Sequence, residues 1–167
     1  MPGVGLGELY DLSTGIGPVD LGLAANTGKR LSMVEVESAL VVLIKAAGTA
    51  AQDPVLTLRQ HTAAVAGVST DLATVTRFWH KSEATLDGDE VWTQVDQAAA
   101  AAVTLTGLAA LEAIVAIPVR SEQLTPPNSF ISLDIADTGL NIQFGTVLYV
   151  VHVTDRGVPQ GLLAPLR

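Results

Sequence analysis

Hydrophobic and polar positions in this chain alternate in short runs, and no long run keeps a helical period. Phe130–Ala136 is the clearest case. Ile131, Leu133 and Ile135 fall on one side, Ser132 and Asp134 on the other, which predicts a strand with one wet face. Val55–His61 behaves alike, with Leu56 and Leu58 opposite Thr57 and Arg59. Met33–Ala47 opens with the alternation Val34-Glu35-Val36-Glu37 and turns continuously apolar over Ala39–Ile44; such a run predicts a strand covered on both faces. Leu72–Lys81, rich in Thr and Val, reads as a strand, as do Val91–Val95, Ile114–Val119 and Phe144–Val153. Breakers separate them: a loop over 48–54 ending in Pro54, a polar turn at Gly67–Asp71, the turn Asp87-Gly88-Asp89, and Thr125-Pro126-Pro127-Asn128. Over Gln97–Glu112 the alanines favour helix, while Val103, Thr104 and Thr106 favour strand. The reading adopted is an extended strand to about Thr106, then a turn around Gly107–Leu111.

Seven or eight strands with no alternating helices predict an all-β fold. Long connections between them favour a jelly-roll-like antiparallel β-sandwich of about eight strands over an up-and-down barrel. The ends differ in character. Residues 1–30 are glycine-rich and read as an extended arm, ordered only by lying on its own domain or on a neighbour. Residues 156–167 read as a similar C-terminal tail, leaving 31–155 as the sandwich domain.

Composition adds one constraint. Hydrophobic residues make up 49% of the 167 residues and charged ones 16%, against about 25% charged in ordinary domains. A surface so poor in charge points to area buried against other subunits; a coding bias toward Ala, Val and Gly is the alternative source. The net charge of −8, with nine Lys and Arg, speaks against nucleic acid and anionic membranes as partners. No membrane span is expected, since Ser38–Ile44 stops at Lys45 and Ala98–Leu111 is short and Ala/Thr-rich. Nor does the N-terminal stretch have the basic and apolar regions of a signal peptide. Cysteine is absent, which removes disulfides, thiolate metal sites and cysteine nucleophiles.

The stretch RFWHKSEATLDGDEVWTQ, 77–94, collects both tryptophans, Trp79 and Trp92, with His80, Glu83, Asp87, Asp89 and Glu90. The acids resemble part of a Ca²⁺ loop but lack the EF-hand frame, and the tryptophans could form a sugar platform. Asp87-Gly88 is also a strong turn signal between two strands. On that reading Trp79 stacks on Arg77 or packs opposite Trp92, and the acids form a solvated tip. His61, His80 and His152 share no metal-ligand spacing, no serine lies in a GxSxG elbow, and among acids such as Asp134 and Asp137 spacing selects no catalytic pair. Lys29 is followed by Arg30, not by the Ser or Thr of a phosphate loop. The sequence therefore predicts no catalytic, cofactor-binding or metal site, and no enzyme activity.

The order of landmarks does resemble something. TGKRLSMVEVESALVVLIKAAG is followed by LTLRQHTAA, a Leu-Ala-Thr-Val-Thr strand, VAIPVRSEQL, SFISLDIADTG and QFGTVLYVVHVTDRG. Over roughly residues 24–167 this is similar to a family of small structural proteins of tailed bacteriophages. The resemblance implies a virion component made in the bacterial host cytoplasm: a jelly-roll head decoration (cement) protein. Such a subunit binds the major capsid protein on the capsid surface as a homo-oligomer, a dimer or trimer, and has no active site. A tail or neck subunit, a carbohydrate-binding module and a metal-dependent cupin are the competing readings. For 77–94, the expectation is contact with a neighbouring subunit.

Overall fold

The computed structural model of the chain describes residues 10–153. It is all-β, with eleven strands in two antiparallel sheets that face each other as a sandwich, and no α-helix among the described residues. The strands are β1 (Tyr10–Asp20), β2 (Leu31–Ser32), β3 (Val36–Lys45), β4 (Val55–His61), β5 (Ser69–Asp71), β6 (Val75–Glu83), β7 (Thr93–Ala100), β8 (Ala102–Thr104), β9 (Glu112–Arg120), β10 (Phe130–Ile135) and β11 (Phe144–Val153). One sheet has six strands in the order β1-β11-β3-β9-β6-β7. The other runs β2-β10-β4-β5, with β8 pairing on β4.

The core lies between the sheets and is built by period-two alternation. Val41 and Leu43, Val115, Ile117 and Val119, and Val147, Tyr149 and Val151 point inward from the larger sheet. Leu56 and Leu58 with Ile131, Leu133 and Ile135 meet them from the smaller one. Full burial of each such side chain favours folding by about 1.5–3 kcal/mol. This burial also fixes register, because a slip of one residue would turn every strand's apolar set outward.

Several elements differ from the pattern-based expectation, each for a physical reason. Of the residues read as an N-terminal arm, Tyr10–Asp20 form an edge strand on β11, and Asn26 bridges Ile135 at the edge of the other sheet. The arm between 10 and 30 is therefore laid on its own sandwich. Register shifts between Thr14 and Ile16 and between Ile16 and Val19 break the alternation there, so a strand period is hidden. The tail 156–167 lies outside the described residues. Val34-Glu35 is a turn between the two sheets, with Glu35 at φ 62, not the start of a strand. Ser69–Asp71, read as part of a turn, pairs with β4. Over 97–112 the expected extended run and following turn do form, but the run is divided: the chain leaves the larger sheet at Ala100 and joins the smaller one as β8, so one extended run becomes two short strands.

Tyr149 ties the layers together. It is fully buried, and its hydroxyl donates to the Lys29 carbonyl at 2.9 Å while accepting the Leu133 amide at 3.3 Å. One phenol thus links β11, β10 and the segment leading to β2. Gly15 makes room for the ring, since a Cβ there would sit 2.7 Å from it. Burial raises the phenol pKa far above its ordinary value, so it stays a donor at every physiological pH. Tyr149→Phe strands the Leu133 amide and the Lys29 carbonyl together, and a loss of about 1–3 kcal/mol is expected. Urea unfolding of the two proteins measures it; equal midpoints would contradict this role.

Candidate functional site

The stretch 77–94 is the hairpin of β6 and β7 with its connection. Trp79 lies opposite Gln94 and Ala116, not opposite Trp92. Arg77 is paired with Asp96 at 2.6 Å, and Trp92, half exposed, lies under the Lys81 ammonium at 5.6 Å. Trp92 stands two positions before Gln94, the residue opposite Trp79, and is engaged by Lys81 instead of pairing directly with Trp79. The connection turns at Gly88, whose φ of 107 suits glycine. The carboxylates of Glu83, Asp87, Asp89 and Glu90 lie within 4.8 Å of one another, close enough to share a cation. Glu90, however, is turned onto the Gly88 and Asp87 amides, which hold its carboxyl below the ordinary range. Glu83, Asp87 and Asp89 are exposed, and the cluster forms the tip of the hairpin.

The other titratable groups do not converge either. His61 Nε2 lies 2.9 Å from Ser132 Oγ, His80 Nδ1 3.2 Å from Ser82 Oγ, and His152 Nδ1 3.1 Å from Glu37. These are three separate places. Asp134 pairs with Arg59 at 3.1 Å and Asp137 accepts the Gly139 amide at 2.9 Å, so neither faces a second free acid. Lys45 is the one buried cation among the described residues, with its pKa lowered to about 8 by burial. It is no nucleophile in waiting, because its ammonium donates to the carbonyls of Leu108, Ala109 and Leu111. Asp53 holds the same loop by accepting the Gly107 and Ala109 amides, both at 3.0 Å, and Gln143 donates to the Ala109 carbonyl at 2.9 Å. This polar knot fixes the 105–111 turn against the ends of β3 and β11.

The outer faces of the two sheets are chemically unlike. On the smaller sheet, Thr57, Arg59 and His61 stand beside Ser132, Asp134, Ser69 and Asp71. Arg59 bridges Asp134 and Asp71, at 3.1 and 3.5 Å. Arg30 binds the carbonyls of Ala63 and Ala66, drawing the 62–67 loop onto the sandwich. This is a polar surface whose groups are mostly paired with one another, His61 Nδ1 being a buried nitrogen with no hydrogen-bond partner.

Across β1, β11, β3 and β9 the larger sheet is largely apolar outside as well as inside. Registry places its outward residues in rows: Leu12, Val150, Leu40 and Pro118; Thr14, Leu148, Val42, Ala116 and Trp79; Thr146, Ile44, Ile114 and Lys81. On β6 and β7 the outward side turns polar, with Arg77, Lys81, Gln94 and Asp96. Among the described residues of a single chain, Ala39–Ile44 is covered on one face only. Val41 and Leu43 are buried in the core, but Leu40 and Val42 are half-buried and Ile44 is 39% exposed, with no third layer above them among the described residues. Leu12 at 69% and Phe144 at 56% extend the apolar area to the edge strand and to one end. Contiguous apolar faces are rarely left open to water. Periodicity alone could not assemble it, because it exists only once five strands are set side by side. The continuous run in β3 was its one local signal.

No family model, curated protein or solved structure matches the chain.

Two outcomes follow from the buried polar groups. Lys45→Met takes one donor from each of three carbonyls, of which Ala109's keeps Gln143 and the Gly48 amide and Leu108's keeps the Leu111 amide, and is expected to lower unfolding free energy by about 1–3 kcal/mol; a loss under half a kilocalorie in urea titration would contradict the knot. His61 has its pKa lowered to about 4, first by burial and then by Arg30 and Arg59, from an ordinary 6.5. The unfolded chain then binds the proton more readily. The stability is fully present above pH 6.5 and is lost as pH falls through 4, by on the order of 3 kcal/mol. His80 is shifted in the same direction by burial. His61→Gln should flatten the stability slope between pH 6.5 and 4, and an unchanged slope would refute the assignment.

Proposed function

We propose that this chain is a structural subunit of a tailed-bacteriophage virion, a jelly-roll decoration protein that binds the major capsid protein on the outside of the head. Strand pairing supports the fold. With the β6–β8 insertion set aside, eight strands remain, and they pair first with last: β1 with β11, β2 with β10, β3 with β9, and β4 with β5. The further pairs β3 with β11 and β4 with β10 are what rolling up such a double-stranded ribbon creates. That is the logic of a jelly roll, an architecture used by viral capsid domains, lectins and cupins.

Among these, the observation that carries the structural reading is the apolar outer face of the larger sheet. An enzyme needs converging polar groups in a cleft, whereas this surface is broad, flat and apolar, suited to burial against protein. A lectin reading has Trp79 and Trp92 to draw on, but Trp92 is already taken up by the Lys81 ammonium. A cupin reading has three histidines at separate places. The ordered landmarks over 24–167 add the phage setting. In that role the work is mechanical: many identical contacts on a repeating shell act together, so modest single affinities suffice. The net charge of −8 keeps decorated particles apart.

Electron cryomicroscopy of the native particle tests this. Density for the sandwich is expected on the outer surface of the head, seated on major capsid subunits. Heads without it, or density only in the tail or neck, would overturn the reading.

A further inference from the structure

We infer that the outer face of the six-stranded sheet binds a second copy of this chain, face to face, in a twofold dimer. The inference rests on reading that face as an assembly surface, and it assigns the partner. Three observations carry it.

The first is size. Six strands of eight to eleven residues, about 4.8 Å apart and rising about 3.3 Å per residue, present a face of roughly 850 Å². A stable protein interface covers about 800 Å² on each partner, so the whole sheet face is the right size for one contact, and the smaller sheet could not offer as much.

The second is charge. The centre of the face, around Val42, Leu148 and Ala116, carries no charged side chain. The charges toward its margins are largely engaged within the chain: Arg77 with Asp96 at 2.6 Å, Arg120 with Glu122 at 3.4 Å, and Lys81, beside Ile114, over the Trp92 ring at 5.6 Å. A partner of opposite charge would find little to pair with. A second copy brings the same apolar centre and the same margin, so like meets like with the charges kept at the rim. An isologous contact needs this self-complementarity.

The third is shape. Each outward strand position already alternates with a core position, so the face has the pleat of a sandwich interior. Two such sheets can pack about 10 Å apart with strands within about 30° of parallel, as the inner sheets of a sandwich do. The result is four layers, with the polar sheets outermost. Arg30, Arg59 and the 62–67 loop on the smaller sheet then stay in water.

The test uses the purified full chain, with no particle present, in analytical ultracentrifugation at micromolar concentration. Twice the 17.3 kDa chain mass is expected. Val42→Arg places a charge at the centre, and Leu12→Arg places one at the margin, on a residue 69% exposed that the fold does not need buried. Both are expected to sediment as monomers with native circular dichroism. Leu140→Arg, in a loop where the side chain is 99% exposed, is expected to remain a dimer. A monomeric wild type, a trimer, or a dimer that survives both Val42→Arg and Leu12→Arg would overturn the inference, as would a dimer equally lost in Leu140→Arg. A face occupied by the chain's own terminal residues or by capsid protein would appear as the monomeric outcome. The virion reading stands or falls separately, on density at the head.

Discussion

A two-layer sandwich covers only one face of each sheet, and in the six-stranded sheet both faces are apolar across β11, β3 and β9. The rest of the molecule is arranged around that constraint. The inner face is covered by the smaller sheet and closed by Tyr149, whose hydroxyl reaches both layers. The outer face has no such cover among the described residues. Its residues are half-buried only by their own neighbours across β11, β3 and β9. The high apolar content and scarce charge of the chain thus have a place in the structure: they lie along outward positions of the larger sheet. The smaller sheet is coated with ion pairs and hydrogen bonds instead.

The same asymmetry explains where the polar groups went. Arg59 with Asp134 and Asp71, and His61 with Ser132, occupy outward positions that in the larger sheet hold Leu, Val and Ile. Lys45 and Gln143 work at the end of the sandwich, where a turn leaves carbonyls that β-pairing cannot satisfy. None of these groups meets a second reactive group across a cleft. What looks like chemistry in the linear order, above all 77–94, is distributed by folding into a packing tryptophan, a cation–π contact and a hydrated turn.

Much of the fold was legible because burial on one side leaves a period of two. Val55–His61 and Phe144–Val153 were read at the residue boundaries the structure shows, since clean alternation or a β-branched run met a clear breaker. Tyr10–Asp20 was not, because two register shifts erase the alternation and its glycines serve contacts made far away in the chain, such as Gly15 against Tyr149. The three-residue strands β5 and β8 have too few positions to show a period. The apolar face was half legible. Its β3 component was seen but assigned to a covered strand, because a run of apolar residues reports that both sides are apolar, not what lies against them. The pairing of Arg59 with Asp134 and of His152 with Glu37 spans long stretches of chain and left no local trace.

The central claim is that the outward residues of the larger sheet are buried between subunits. Carbene footprinting across a dilution series tests it most directly, reading label at Leu40, Val42, Ile114 and Leu148 against the exposed Leu23 and Leu140 as internal standards. The account predicts low labelling of the four sheet positions in concentrated solution and a rise on dilution, as the partner leaves, with the two loop leucines constant. Labelling of the sheet positions that is high throughout and independent of concentration would contradict it.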